Sequence, residues 1–255
     1  MLALVLLASV SVTIPVAGVI SNATIAYSTT IRLTNRTATQ QIVRADWIGR
    51  DGIGSRENAM TIDLAANETR LLHSTFDLGG FPPHLGAVTF RAEGAIDASA
   101  VITAIRLADL ARLTQDVPGV PGSKLRGAGE PLVFYPVLVP GFLPPTASRP
   151  RANYGIVNDA SEPNTFVVES RFPVHGNVTS NPREETVTVA AHAMVQRTLL
   201  TFGSPVDDSG VVVTIRRLGD STGLWTGYVS SIDGATGDAM MVPPLPRGGR
   251  IPSIE

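Results

Sequence analysis

The chain has 255 residues, a formal charge of −2 and no cysteine, which excludes disulfides, thiolate catalysis and cysteine-based zinc sites. Its 20 Lys and Arg residues, with Lys124 the single lysine, are scattered and form no basic patch of the kind a nucleic acid requires. The 24 glycines and 19 prolines, with many Val, Ile and Thr, are the balance expected of short strands separated by tight turns.

The first 20 residues hold an apolar run from Leu2 to Ala8 that fades by Ile14. Small residues at Ser9 and Ser11, or the pair Val16 and Gly18, suit a cleavage site, so residues 1–20 read as a truncated secretory signal peptide. The first basic residue is Arg32, which departs from that pattern. A transmembrane anchor is disfavoured because Ser, Thr and Pro interrupt the run before it reaches about 20 apolar residues. The remaining alternative is a buried first strand.

Beyond residue 20 the chain repeats itself. A short alternating strand ends in Asn35, and another, beginning at Tyr154, ends in Asn158, 123 positions later. Asn suits the turn after each strand, since its side chain bonds the backbone two residues on. Runs starting at Thr61 and Thr186 follow at an offset of 125, and Phe76 and Phe202 close a third pair at 126. Runs at Gly86 and Gly210, and at Val101 and Trp225, are each 124 apart. Five segments in constant order predict two copies of one module.

The register then breaks. The segment at Leu132 to Pro136 pairs by sequence with that at Ala239 to Pro243, only 107 positions on. Copy one therefore carries an insertion within residues 110–130, and its two Pro-Gly pairs predict an exposed loop. A helical turn is expected just before it, at residues 108–113. Four prolines in residues 140–150 predict a semi-rigid linker.

The expectation is all-β: two tandem immunoglobulin-like β-sandwiches of about seven strands each. They would occupy residues 21–139 and 151–246, with a tail at 247–255. The ending Tyr228-Val-Ser-Ser-Ile-Asp233, then Gly-Ala-Thr-Gly-Asp238, then Met241-Val-Pro243, resembles the module endings of a broad group of bacterial exported proteins with tandem immunoglobulin-like or fibronectin-III-like sandwiches. That resemblance implies an exported, cell-surface or extracellular protein with an adhesive or scaffolding role and no defined activity.

Candidate chemistry is sparse. Asp233 and Asp238 flank a glycine-rich turn and are weak calcium candidates, but the spacing lacks the EF-hand pattern, and Asp caps turns more often than it binds metal. Asp207, Asp208 and Asp220 lie in the same copy. The four histidines, His73, His84, His175 and His192, have no partners at metal-ligand spacing. No Gly-x-Ser-x-Gly elbow marks a hydrolase. Four Asn-x-Thr sequons begin at Asn22, Asn35, Asn67 and Asn177. The expectation is a non-catalytic exported structural or adhesion protein without cofactor, whose partner is a surface protein or glycan. The alternative is a carbohydrate-binding accessory module, which requires Trp47, Trp225 or Tyr228 to be exposed as a stacking platform.

Overall fold

The computed structural model describes residues 9–73 apart from 22 and 24, then 85–127, 129–137, 151–171, 182–199, 210–233 and 239–247. Among these residues the fold is all-β, its strands pairing antiparallel, with one short 3₁₀ turn at Gly122–Lys124. The chain divides into two compact units. The first comprises Met1–Gly49, Ile53–Arg112 and Asp116–Leu125; the second comprises Arg50–Gly52, Leu113–Gln115 and Arg126–Glu255.

In the first unit the strands are β1 (Val10–Gly18), β2 (Ile20–Ser21), β3 (Ile25–Asn35), β4 (Gln41–Gly49), β5 (Arg56–Leu64), β6 (Thr69–His73), β7 (Leu85–Ala92), β8 (Ile96–Arg106), the ends of β9 (Arg112–Pro118), whose Leu113–Gln115 fall in the second unit, and β10 (Val120–Pro121). One sheet runs β10-β1-β7-β4-β5; the other runs β2-β3-β8-β9, with β6 also paired to β3. The second unit holds β11 (Leu132–Val137), β12 (Arg151–Asn158), β13 (Asn164–Arg171), β14 (Arg183–Val189), β15 (Ala193–Thr198), β16 (Val211–Arg217), β17 (Trp225–Ile232) and β18 (Ala239–Val242). Its sheets run β11-β16-β13-β14 and β15-β12-β17-β18. The order β1-β7-β4-β5 recurs as β11-β16-β13-β14, and β6-β3-β8-β9 as β15-β12-β17-β18. The internal repetition read from the offsets is therefore a repetition of topology.

The strands follow from period-two patterning. In β14, for example, Val187 and Val189 are buried while Glu184 and Thr188 face solvent. Both sheets of the second unit feed one apolar core, with Phe134, Phe166, Val213 and Ile215 from one sheet meeting Tyr154, Ile156, Trp225 and Val229 from the other. Phe166 and Trp225 pack edge to face, their ring centroids 5.1 Å apart. Burying each such side chain contributes about 1.5–3 kcal/mol.

Four expectations change. Val10–Gly18, expected as the end of a leader, forms strand β1, seated between β7 and β10, with Val12, Ile14, Val16 and Ala17 buried. Cleavage after Gly18 would strip that sheet of an interior strand. Residues 1–8 lie outside the described residues. Residues 110–130 are not an exposed loop. They form β9 at the edge of one sheet, then β10 on the other, with Val117 and Leu125 buried. The two Pro-Gly pairs serve this crossing. Gly119 donates its N–H to the Ala98 carbonyl, and a Cβ there would collide with that carbonyl and with the Val12 methyl.

The third change concerns Leu132 to Pro136. It does not end copy one; it opens the second unit as β11, paired with β16 as β1 is with β7. The unit boundary accordingly falls between Leu125 and Arg126. The expected linker at residues 140–150 lies outside the described residues. The fourth concerns strand order. A constant-type immunoglobulin sandwich pairs its first strand with its second. Leaving aside the two-residue β2, the first strand of each unit pairs with the sixth, and the second pairs with the fifth and seventh.

Candidate functional site

Most buried polar side chains serve the frame. Asn35, almost fully buried at the end of β3, donates from Nδ2 to the carbonyls of Thr39 (2.7 Å) and Ala65 (2.8 Å), and its Oδ1 accepts from the Thr37 amide (2.9 Å). Asn158, at the end of β12, donates to Glu162 (2.8 Å) and Ala190 (2.9 Å), and its Oδ1 accepts from the Ala160 amide (3.3 Å). An amide side chain carries both donors and an acceptor, so one residue can tie three backbone segments. The same corner closes with a left-handed residue facing the turn. Asn67 (φ 55°) donates its N–H to Thr37 O, and His192 (φ 45°) donates to Ala160 O.

The expected site residues do not converge. Asp233 is exposed just past β17, while Asp238 and the Thr-Gly-Asp turn lie outside the described residues. Among the described residues no group of three or more His, Cys, Asp and Glu side chains could hold a metal. His73 lies 3.1 Å from the Thr30 hydroxyl across β3 and β6, and His192 sits in the corner turn. His84 and His175 are outside the described residues. Of the sequons, Asn35 is spent in its corner, Asn67 is exposed, and Asn22 and Asn177 lie outside the described residues.

The aromatic residues that a sugar platform would need are inside. Trp47, Trp225, Tyr154 and Tyr228 are all buried. Tyr228 lies over Gly155, where a Cβ would strike its ring, and its hydroxyl donates to Gln196 Oε1 (2.6 Å). Burial pushes its phenol far above the ordinary tyrosine range. Tyr154 is raised too, first by burial and then by Glu185, to whose carboxylate it donates (2.8 Å).

What the frame offers to solvent is edges and tips. The edge strands β5 and β14 carry Arg56 with Glu57 and Arg183 with Glu184, charges that discourage unplanned pairing with other strands. The β8–β9 connection is a tight hairpin in place of the expected helical turn. The Arg106 amide donates to Ala111 O (2.9 Å), and Asp109 Oδ1 accepts from the Ala111 amide (3.1 Å) and Arg106 Nε (2.9 Å). Those two donors, the amide foremost, hold the Asp109 carboxyl below its ordinary pKa. The turn displays Leu107 at 45% exposure and Leu110 at 72%, the latter at a left-handed φ of 58°. A leucine there costs roughly 1–2 kcal/mol relative to right-handed backbone.

Two arginines are buried in the second unit, and sequence reasoning singled out neither. Arg217 sends its guanidinium to the carbonyls of Gly223 (2.5 Å) and Ser221. Arg126 exchanges backbone hydrogen bonds with Trp225 at 2.8 and 3.1 Å, filling the edge of β17 beyond the reach of short β18. Trp225 Nε1 donates to the next carbonyl, Gly127 O (3.2 Å). Nearby, Glu130 Oε2 accepts from Arg247 (2.9 Å) and from the Gly127 amide (3.4 Å).

No helix among the described residues is long and apolar enough to cross a membrane. No family model, curated protein or solved structure matches this chain.

Proposed function

We propose that this protein is a non-catalytic structural or adhesive binding protein, exported to the cell surface or beyond, built from two immunoglobulin-like sandwiches in which the first strand takes the place beside the sixth. The observation that supports this reading is the β8–β9 hairpin tip. Two leucines are held out to water on a turn fixed by Asp109, one of them in a backbone conformation that costs free energy. Strained, solvent-facing apolar groups on a rigid frame are a means of contacting a partner. The module ending at Tyr228 to Asp233 supports the exported setting through its resemblance to exported tandem sandwiches. The sugar-binding alternative draws no support from Trp47, Trp225 and Tyr228, which are core residues.

The test is binding of the full chain to whole bacterial cells and to a glycan array, alongside a Leu107→Asp, Leu110→Asp variant. The proposal expects cell binding that the variant loses while its circular dichroism and melting are unchanged. Binding confined to glycans and indifferent to both leucines would favour the alternative.

A further inference from the structure

The two buried arginines of the second unit are solved differently by the fold. Arg217 spends its terminal nitrogens on two carbonyls. Arg126 is buried to a similar degree, and although the Nε of both arginines meets no acceptor, Arg126 has no carbonyl on its terminal nitrogens either among the described residues. Burying a cation is costly unless it is paired. The charges near Arg126 make matters worse: Arg247 adds a second positive charge, and the carboxylate present, Glu130, already accepts from Arg247 and from the Gly127 amide. Glu130 is thus ion-paired with Arg247, and no ion pair reaches Arg126 among the described residues. Burial, foremost, and the Arg247 charge both disfavour the charged form of Arg126. A Cβ at Gly127 or Gly129 would meet nothing within 4 Å among the described residues, so the backbone at these two glycines borders open space there.

We infer that Arg126, with Arg247, forms an oxyanion-binding site beside Gly127 and Gly129. The ligand class is a carboxylate or sulfate group, which complements the guanidinium fork through paired charge-assisted hydrogen bonds. The bound anion supplies the acceptor that Arg126 lacks and offsets its charge. The site also reports on itself, because the Trp225 indole N–H is bonded to Gly127 O.

The full chain, labelled with ¹⁵N, is titrated with sodium acetate and separately with sodium sulfate, against sodium chloride at constant ionic strength. The expected result is a saturable movement of the Trp225 indole resonance while that of Trp47, in the other unit, stays put. The acetate and sulfate arms decide between planar and tetrahedral oxyanions. Arg126→Met keeps the apolar stem and removes the charge, and should weaken affinity by roughly tenfold or more. Arg247→Gln, at an exposed position, should weaken it by about threefold, as befits a screened charge. A Trp225 resonance that does not move, or that moves equally in Arg126→Met, overturns the inference. Should Arg126→Met fail to fold, Arg247→Gln decides, and an unchanged affinity there overturns it.

Discussion

The corners of the two units perform one task with different neighbours. In the first, the Asn35 amide works with hydroxyls: Thr37 Oγ1 bonds Asn35 Oδ1 at 2.8 Å, and Gln41 reaches Thr37 and the Gly94 amide. In the second, Asn164 stands where Gln41 stands and donates directly to Asn158 Oδ1 (2.9 Å), and both side chains are almost fully buried. The lesson is that the donor and acceptor pattern of a single amide is retained, while the second layer around it varies. The units differ again at their closing ends. The first uses β9 and β10 to reach across both sheets, whereas the second stops at four-residue β18 and lets Arg126 complete the edge.

Each unit contains one tryptophan, so ¹⁹F-labelled tryptophan in the full chain reads their stabilities separately. The largest effect should come from the corners. Asn158→Ala removes the donor to the Glu162, Val189 and Ala190 carbonyls and one acceptor of the Asn164 amide, and should destabilise the second unit by about 3 kcal/mol or more. Asn35→Ala should cost the first unit less, about 2 kcal/mol, because Thr37 and Gln41 remain to bond the turn. Equal losses would mean that the second layer is irrelevant. Next, Gly119→Val should lower the first unit by about 2 kcal/mol through collision with Ala98 and leave the Trp225 signal unchanged. If both signals shifted together, the closing element would not belong to one unit alone.

A smaller effect appears at high pH. Tyr228 has a folded pKa above its unfolded value of about 10, so its stabilising contribution is complete below pH 10 and is lost as pH rises. The second unit should weaken by about 1.4 kcal/mol per pH unit for this group once the unfolded chain ionises. Tyr228→Phe should flatten that slope, as measured by urea unfolding between pH 9 and about 11. The smallest expected change is a gain. Leu110→Asn relieves left-handed strain and should stabilise the first unit by about 0.5–1 kcal/mol. A loss of stability there would show that Leu110 is packed rather than presented.

Much of this architecture was legible in the chain. Asn35 and Asn158 announced the repeat because one amide must be buried at a fixed place, which leaves an unmistakable residue at a fixed offset. The alternating strands between them kept their register for the same reason, since a one-residue slip would turn each apolar face outward. The first strands were harder to see. β1 and β11 share a Pro-Val step at Pro15 and Pro136, and both carry a register shift there, but short apolar runs look alike as leader, linker or strand. The Pro-Gly pairs after Val117 misled in the opposite direction, because a crossing between sheets needs the same residues as a loop. Arg126 gave no sequence signal at all: its burial follows from the shortness of β18, a property of the other end of the unit.

The position of β1 has a consequence for synthesis. Thr13 and Thr89, bonded through their hydroxyls at 3.0 Å, are 76 residues apart. At about 5–20 residues per second, β1 waits roughly 4–15 s after its own translation before β7 exists to receive it. For that interval β1, with its apolar Val12, Ile14 and Val16, has no strand partner in its own sheet on the nascent chain. The β11–β16 pairing imposes a second wait of the same kind. A chain built this way is most open to capture by chaperones, or by strands of another copy, while still being made.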